Sequence, residues 1–169
     1  MTYFITFACY GSHMHGAGEG SVDLNHNHYG APLAEPNPRR LAAELRLMDQ
    51  PPYQLDEPRR QAVLEALVNR CEQSDWNLRA AHVRQNHVHI IVDSQQRPEF
   101  AMTQLKSAAS RRLNDLGFDE RTRKRWSRHG STRSLFDDDS IQQAIFYVLH
   151  NQGEPMSTFA ADRSRRSRL

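Results

Sequence analysis

The run Asn86-His87-Val88-His89-Ile90-Ile91-Val92-Asp93 constrains this chain more than any other segment. It reads as a strand. Side chains in a strand alternate between faces, so His87, His89 and Ile91 point one way and Val88, Ile90 and Val92 the other. The aliphatic row fits a core packed against helices. The two imidazoles then stand on the opposite face, close enough to share one metal ion. A pair of neutral imidazoles on a rigid strand suits a divalent cation. Taken alone, the same pattern also describes two surface histidines on a half-exposed strand, and a second feature is needed to separate the readings.

The length of 169 residues fits one domain of ordinary size. A hydrophobic content of 38% supports a core, while 25% charged residues and a mean hydropathy of -0.77 indicate a very polar surface. No apolar stretch approaches the roughly 20 residues of a membrane helix. The opening Met1-Thr2-Tyr3-Phe4-Ile5-Thr6-Phe7 lacks the basic region and cleavage site of a signal peptide. Cys9 and Cys71 suggest neither a disulfide scaffold nor a zinc knuckle. The expectation is a cytoplasmic protein without a membrane partner.

The net charge is only +2, but it is unevenly distributed. Lys106, Arg111, Arg112, Arg121, Arg123, Lys124, Arg125, Arg128 and Arg133 face only Asp115, Asp119 and Glu120 in the same stretch. The tail repeats the bias with Arg163, Arg165, Arg166 and Arg168. Such clustering suits a polyanion such as nucleic acid. A solvated helix face followed by a disordered tail is the competing reading.

Residues 2–10 alternate as a strand, apolar enough on both rows to be central. Residues 11–37 carry glycines and histidines without periodicity and read as a long loop insertion. Its histidines, at 13, 15, 26 and 28, read as solvent-exposed rather than as ligands. Asn37-Pro38 opens a short helix that runs to Met48, and Pro51-Pro52 ends that segment. Asp56 caps a helix over 57–73, with Val63, Leu64, Leu67 and Cys71 at helical spacing. A second strand spans Asn77 to Val83 and turns at Gln85-Asn86 into the histidine strand. A helix over 98–116 follows, with Gly117 as its stop. A short strand over 131–136 precedes a last helix, opened by Asp137-Asp138-Asp139, with Asp139-x-x-Gln142 in the form of a capping box. That helix ends near Asn151, and the basic segment 156–169 is expected to be mobile.

This order of elements predicts an α+β fold, a ferredoxin-like or RRM-like split β-α-β with an antiparallel sheet and helices on one face. The other face stays open, and the histidines belong there. The whole forms one domain over 1–155. His82, on the partner strand, reads as a sheet-packing residue, with a contact to metal or phosphate as the alternative.

The last helix carries one apolar stripe, Ile141, Ala144, Ile145, Val148 and Leu149. Tyr147 lies beside it, and Asn151 stands one turn further along the same side. A hydroxyl and an amide oxygen therefore meet at the edge of a packed helix.

His87-Val88-His89 resembles the HUH motif, and Tyr147-x-x-x-Asn151 resembles the nucleophile helix of single-tyrosine HUH transposases. That family includes insertion-sequence transposases acting on single-stranded DNA and REP-associated tyrosine transposases. Phe4-Ile5-Thr6-Phe7 and the segment Trp126 to Arg133 are also similar to it, and the likeness runs from residue 3 to about 153. The resemblance implies a nuclease whose tyrosine attacks a DNA phosphate and forms a 5′-phosphotyrosine. A free tyrosine, with a pKa of about 10, is ionised to roughly one part in a thousand at pH 7. A divalent ion, magnesium or manganese in the family, offsets this by polarising the phosphate.

By the same resemblance Tyr147 is the nucleophile, and His87 and His89 are metal ligands. Asn151 is the third ligand, preferred on helical geometry, with Gln152 as its alternate should Gly153 let the last turn unwind. Candidate DNA contacts are Lys106, Arg111, Arg112, Arg128, His129, Thr132 and Arg133, with Trp126 either stacking on a base or part of the core. The implied partner is single-stranded DNA bearing a hairpin, and a homodimer is compatible. The alternative function is a cleavage-inactive nucleic-acid-binding module on the same sheet.

Overall fold

The computed structural model describes residues 1–12 and 38–162. Both the expected insertion with its four histidines and the arginines of the tail lie outside the described residues, apart from Gly11 and Ser12. The chain runs β1 (Thr2–Cys9), α1 (Pro38–Leu47), α2 (Glu57–Gln73), β2 (Asn77–Val83), β3 (His87–Asp93), α3 (Pro98–Asp115), β4 (Trp126–Leu135), α4 (Asp138–His150) and β5 (Ser157–Ala160). Every strand pair is antiparallel, and the sheet order is β4-β1-β3-β2-β5. The first four strands have the split β-α-β arrangement expected from the order of elements.

Local chemistry sets the ends of these elements. Asp56 accepts from the Arg59 amide at the start of α2. Gly117, at a φ of 69°, ends α3. There the Phe118 amide reaches the Leu113 carbonyl and the Gly117 amide reaches that of Asn114, a Schellman closure that a glycine adopts without strain. The cap of α4 is Asp137, whose side chain accepts from the Ser140 amide at 2.8 Å. Asp138 and Asp139 lie within the first turn, so the expected box on Asp139 is not the one used.

The main core lies between one sheet face and helices α2 and α3. Val88, Ile90 and Val92 meet Ile5, Phe7, Leu67, Leu105 and Leu113 there, all essentially inaccessible. Each such side chain contributes about 1.5–3 kcal/mol on burial. The other face carries α4, whose Ile141, Ala144 and Val148 cover Ala80, Ile91 and Leu135. The face expected to stay open is thus partly roofed by the last helix, beside the histidines. The aliphatic Ile91 on the histidine row was the trace of this in the sequence.

Two further features differ from expectation. Strand β4 begins at Trp126, five residues before the predicted start, and reaches β1 through a register shift between Phe7 and Cys9. Ser157–Ala160, expected in a mobile tail, forms β5 against β2 in the register Val83 to Ser157 and His82 to Thr158. His82 explains why the chain returns there. The imidazole is fully buried, its Nδ1 lies 2.9 Å from the Val148 carbonyl, and its Nε2 lies 3.1 Å from the Met156 amide. A carbonyl only accepts and an amide N–H only donates, so the ring is neutral with its proton on Nδ1. It ties the end of α4 and the approach to β5 onto one strand.

Gly130 sits where β4 crosses β1, and a Cβ there would lie 2.5 Å from both the Met102 sulfur and the Thr6 carbonyl oxygen. Gly130→Ala is therefore expected to cost about 1–3 kcal/mol, read as a lowered urea midpoint. Burial lowers the pKa of His82 below its ordinary 6.5. The unfolded chain then binds a proton that the folded chain refuses, so this contribution is complete above about pH 6.5 and is lost as pH falls below it. Urea midpoints between pH 7.5 and 5 should fall for the wild type, and His82→Asn should make that fall shallower, His89 supplying the remainder.

Candidate active site

Three elements build the site. β3 supplies His87 and His89, central β1 supplies Phe4 and Thr6, and α4 with the loop after it supplies Tyr147 and Gln152. The register of β1 against β3 pairs Thr6 with His89 and Phe4 with Ile91, so these side chains share the face that carries the histidines.

His89 is 7% exposed and held at both nitrogens. Its Nδ1 lies 2.8 Å from the Thr6 hydroxyl, and its Nε2 lies 3.0 Å from Gln152 Oε1. An amide oxygen only accepts, so His89 donates from Nε2 and accepts the Thr6 hydroxyl at Nδ1. Burial and the neighbouring His87 push its pKa down to about 3. His89 is thus kept as the free base over all physiological pH, the form a ligating imidazole needs. The Thr6 hydroxyl accepts as well as donates and serves the other tautomer equally.

His87 stands beside it, with ring centroids 4.7 Å apart. Its Nδ1 lies 2.7 Å from Asn86 Oδ1, an acceptor, so the ring donates its Nδ1 proton there. Tyr147 is 43% exposed, and its ring centroid is 6.1 Å from that of His89. Phe4 wedges against both rings, 5.7 Å from His89 and 6.1 Å from Tyr147. A reachable phenol and a pair of imidazoles therefore lie side by side in one subunit.

The residue after Asn151 completes the group. Asn151 is the exposed C-cap of α4, its amide on the Tyr147 carbonyl. The chain then leaves the helix, Gly153 takes a φ of 75°, and Gln152 turns to His89. The unwinding that would favour the alternate ligand is present, and the geometric preference for Asn151 assumed a helix that has already ended there. Gln152 Nε2 is buried without a hydrogen-bond partner. Such an orphan calls for an explanation beyond packing. Among the described residues, no three His, Cys, Asp or Glu side chains come together to hold a metal ion.

The basic candidates divide by face. Arg133 is exposed and paired in register with Phe4, which puts it on the histidine face. Arg128 and His129 are exposed on the edge strand β4. Lys106, Arg111 and Arg112 belong to α3, behind the sheet. Lys106 donates to the carbonyls of Ser127 and His129, and Arg112 pairs with Glu65. Thr132 donates to Glu99 on that same rear side. Trp126 packs edge-on against Phe7 and gives its indole N–H to Lys106 and Ser110, the core role rather than base stacking. The dense basic run is largely spent internally. Arg123 holds the Pro51 and Pro52 carbonyls, Lys124 pairs with Asp49, and buried Arg125 meets Asp119 and Asn114.

Sequence reasoning gave Thr6, Phe4, Asn86 and Arg84 no part in the site. Strand parity put Phe4 and Thr6 on one row, but only the strand register shows that this row meets His89. Arg84 lies in the β2–β3 turn and donates to the Glu154 carbonyl at 3.1 Å.

The family model described as "Transposase IS200 like" matches residues 53–148, more than half of the 169 residues and a span that includes His87, His89 and Tyr147. The chain is similar to a solved REP-associated tyrosine transposase bound to a REP hairpin, at 10% identity and a TM-score of 0.48. That likeness covers 89% of this chain but 65% of the other, so the chain spans less than two thirds of that relative's length. It is also similar to a candidate transposase from Deinococcus radiodurans, at 16% identity and a TM-score of 0.44, over 86% of this chain and 88% of that one. Comparison with curated protein sequences gives no match. The family match, spanning the strand with both histidines and the helix with the exposed tyrosine, means that this chain belongs to the IS200-like transposase family.

Proposed function

We propose that this chain is a metal-dependent endonuclease and strand transferase for single-stranded DNA, with Tyr147 as nucleophile. The observation that carries this is the convergence of Tyr147, His87, His89 and Gln152 on one sheet face. In the reaction, the phenol oxygen bonds to phosphorus as the bond to the 3′ oxygen breaks. The phenol proton is lost and the 3′ oxygen gains one. The product is a 5′-phosphotyrosine and a free 3′-hydroxyl, and attack by another 3′-hydroxyl reverses the exchange without ATP.

His87, His89 and Gln152 fit a divalent cation. His87 and His89 would supply imidazole nitrogens and Gln152, whose Oε1 lies 3.0 Å from His89 Nε2, an amide oxygen. Moving the imidazole proton from Nε2 to Nδ1, onto the Thr6 oxygen, frees the lone pair. The orphaned amide nitrogen of Gln152 fits a side chain positioned for its oxygen. The family commonly uses magnesium or manganese, while paired imidazoles lean toward manganese, zinc or nickel. When bound, the ion supplies positive charge to the non-bridging phosphate oxygens.

Phe4 and the helix register keep the Tyr147 ring beside His89, which supports a site complete within one subunit. DNA contacts are assigned to Arg133 on the catalytic face and to Arg128 and His129 on the adjoining edge. The substrate class is single-stranded DNA bearing a hairpin, in keeping with the REP-bound relative.

Tyr147→Phe should abolish the covalent protein–DNA adduct on a denaturing gel while leaving hairpin binding intact. An undiminished adduct would remove Tyr147 as nucleophile, and binding without any adduct in the wild type would favour the cleavage-inactive module. Gln152→Ala should weaken manganese binding by at least about tenfold by titration calorimetry, and Asn151→Ala by no more than about twofold. The reverse ranking would restore Asn151 as the ligand.

A further inference from the structure

The proposed third ligand lies outside any regular element, where ordering a free chain costs conformational entropy. Its loop, residues 151–156, is nonetheless fastened at several points, and the fastenings converge on β2 and its turn. His82 takes the Val148 carbonyl, one residue beyond Tyr147, and the Met156 amide, four residues beyond Gln152. Arg84 takes the Glu154 carbonyl. Gly153 makes the reversal at positive φ, where its missing Cβ would stand 3.7 Å from Arg84 Nη2. Strand β5 then locks the far end through pairs from Val83 to Ala80.

We infer that His82 and Arg84 are positioning residues: together they clamp the Gln152 loop and the end of the nucleophile helix onto β2, setting the third ligand at His89. The inference rests on the proposed metal site and deepens it. Neither residue is a ligand. Both His82 ring nitrogens are committed, and the Arg84 guanidinium has no lone pair to offer. Their effect is to have Gln152 in place before a cation arrives, as outer partners do for metal ligands generally.

The sign of the Arg84 effect separates the clamp from simple electrostatics. As a bystander cation near the site, Arg84 would repel a divalent ion, so its removal would tighten binding. As a clamp, its removal releases the loop and weakens binding. The test is manganese titration calorimetry on the full chain at pH 7.5, with thermal melting in EDTA to confirm folding. Arg84→Ala is expected to weaken manganese binding by about tenfold with little change in the EDTA melting temperature. In a Gln152→Ala background the same substitution should have no further effect, since the loop then has no ligand to deliver. His82→Asn keeps a donor for Val148 but not the reach to Met156, and should weaken binding in the same direction.

Unchanged or tighter binding in Arg84→Ala would overturn the clamp, as would an equal loss in the Gln152→Ala background. Absence of manganese binding by the folded wild type would instead remove the metal site itself. A wild type that binds, and loses binding in His89→Ala but not in Gln152→Ala, would retain the metal and overturn both the third ligand and its clamp.

Discussion

The pairing of β1 with β3 is the interaction on which the rest of this structure depends. Its register sets Thr6 opposite His89 and Phe4 opposite Ile91. A slip of one residue would turn Phe4 and Thr6 to the helix side and bring Ile5 and Phe7 against the histidines. That slip is strongly opposed, because Ile5, Phe7, Val88, Ile90 and Val92 interlock in a core they cannot leave without exposing several large apolar side chains at once. The chemistry on one face is thus held in place by hydrophobic packing on the other.

The electrostatic character of the site follows from that arrangement. His89 is buried by the sheet, by Phe4 and by the loop after α4, and burial is the main reason its pKa falls to about 3. A histidine kept neutral and held at both nitrogens has lost its use as a pH switch and kept its use as a donor. Tyr147 is treated in the opposite way: it lies at the rim, packed on one edge by Phe4 and open on the other. A fixed, dry imidazole beside a reachable phenol is the arrangement that the proposed phosphoryl transfer through a covalent intermediate calls for.

Much of the charge in the sequence serves the fold. The basic run from Lys106 to Arg125 reads as a surface for a polyanion, yet Lys106, Arg112, Arg123, Lys124 and Arg125 all bind partners within the chain. Asp119 gathers Arg59, Arg125 and the Tyr53 hydroxyl, which anchors the approach to β4. One-dimensional charge clustering counts residues without knowing which carbonyls and carboxylates the fold will bring to them. Arg133 differs: the register of β4 against β1 pairs it with Phe4 and leaves it exposed on the face that carries the histidines.

By itself the sequence determined the local elements, because alternation, helical spacing and capping are encoded within a few residues. β2 and β3 begin and end where the pattern placed them, and α2 and α3 agree to within a residue. It also determined that His87 and His89 share a face and that Tyr147 flanks an apolar stripe. Only the tertiary structure decided which face α4 covers, that residues 157–160 return as a strand, and that Gln152 rather than Asn151 meets His89. Those outcomes depend on contacts such as His82 with Met156 and Thr6 with His89, which join residues 74 and 83 positions apart. Periodicity carries no information at that separation, because it is the packing of the whole sheet that brings such partners together.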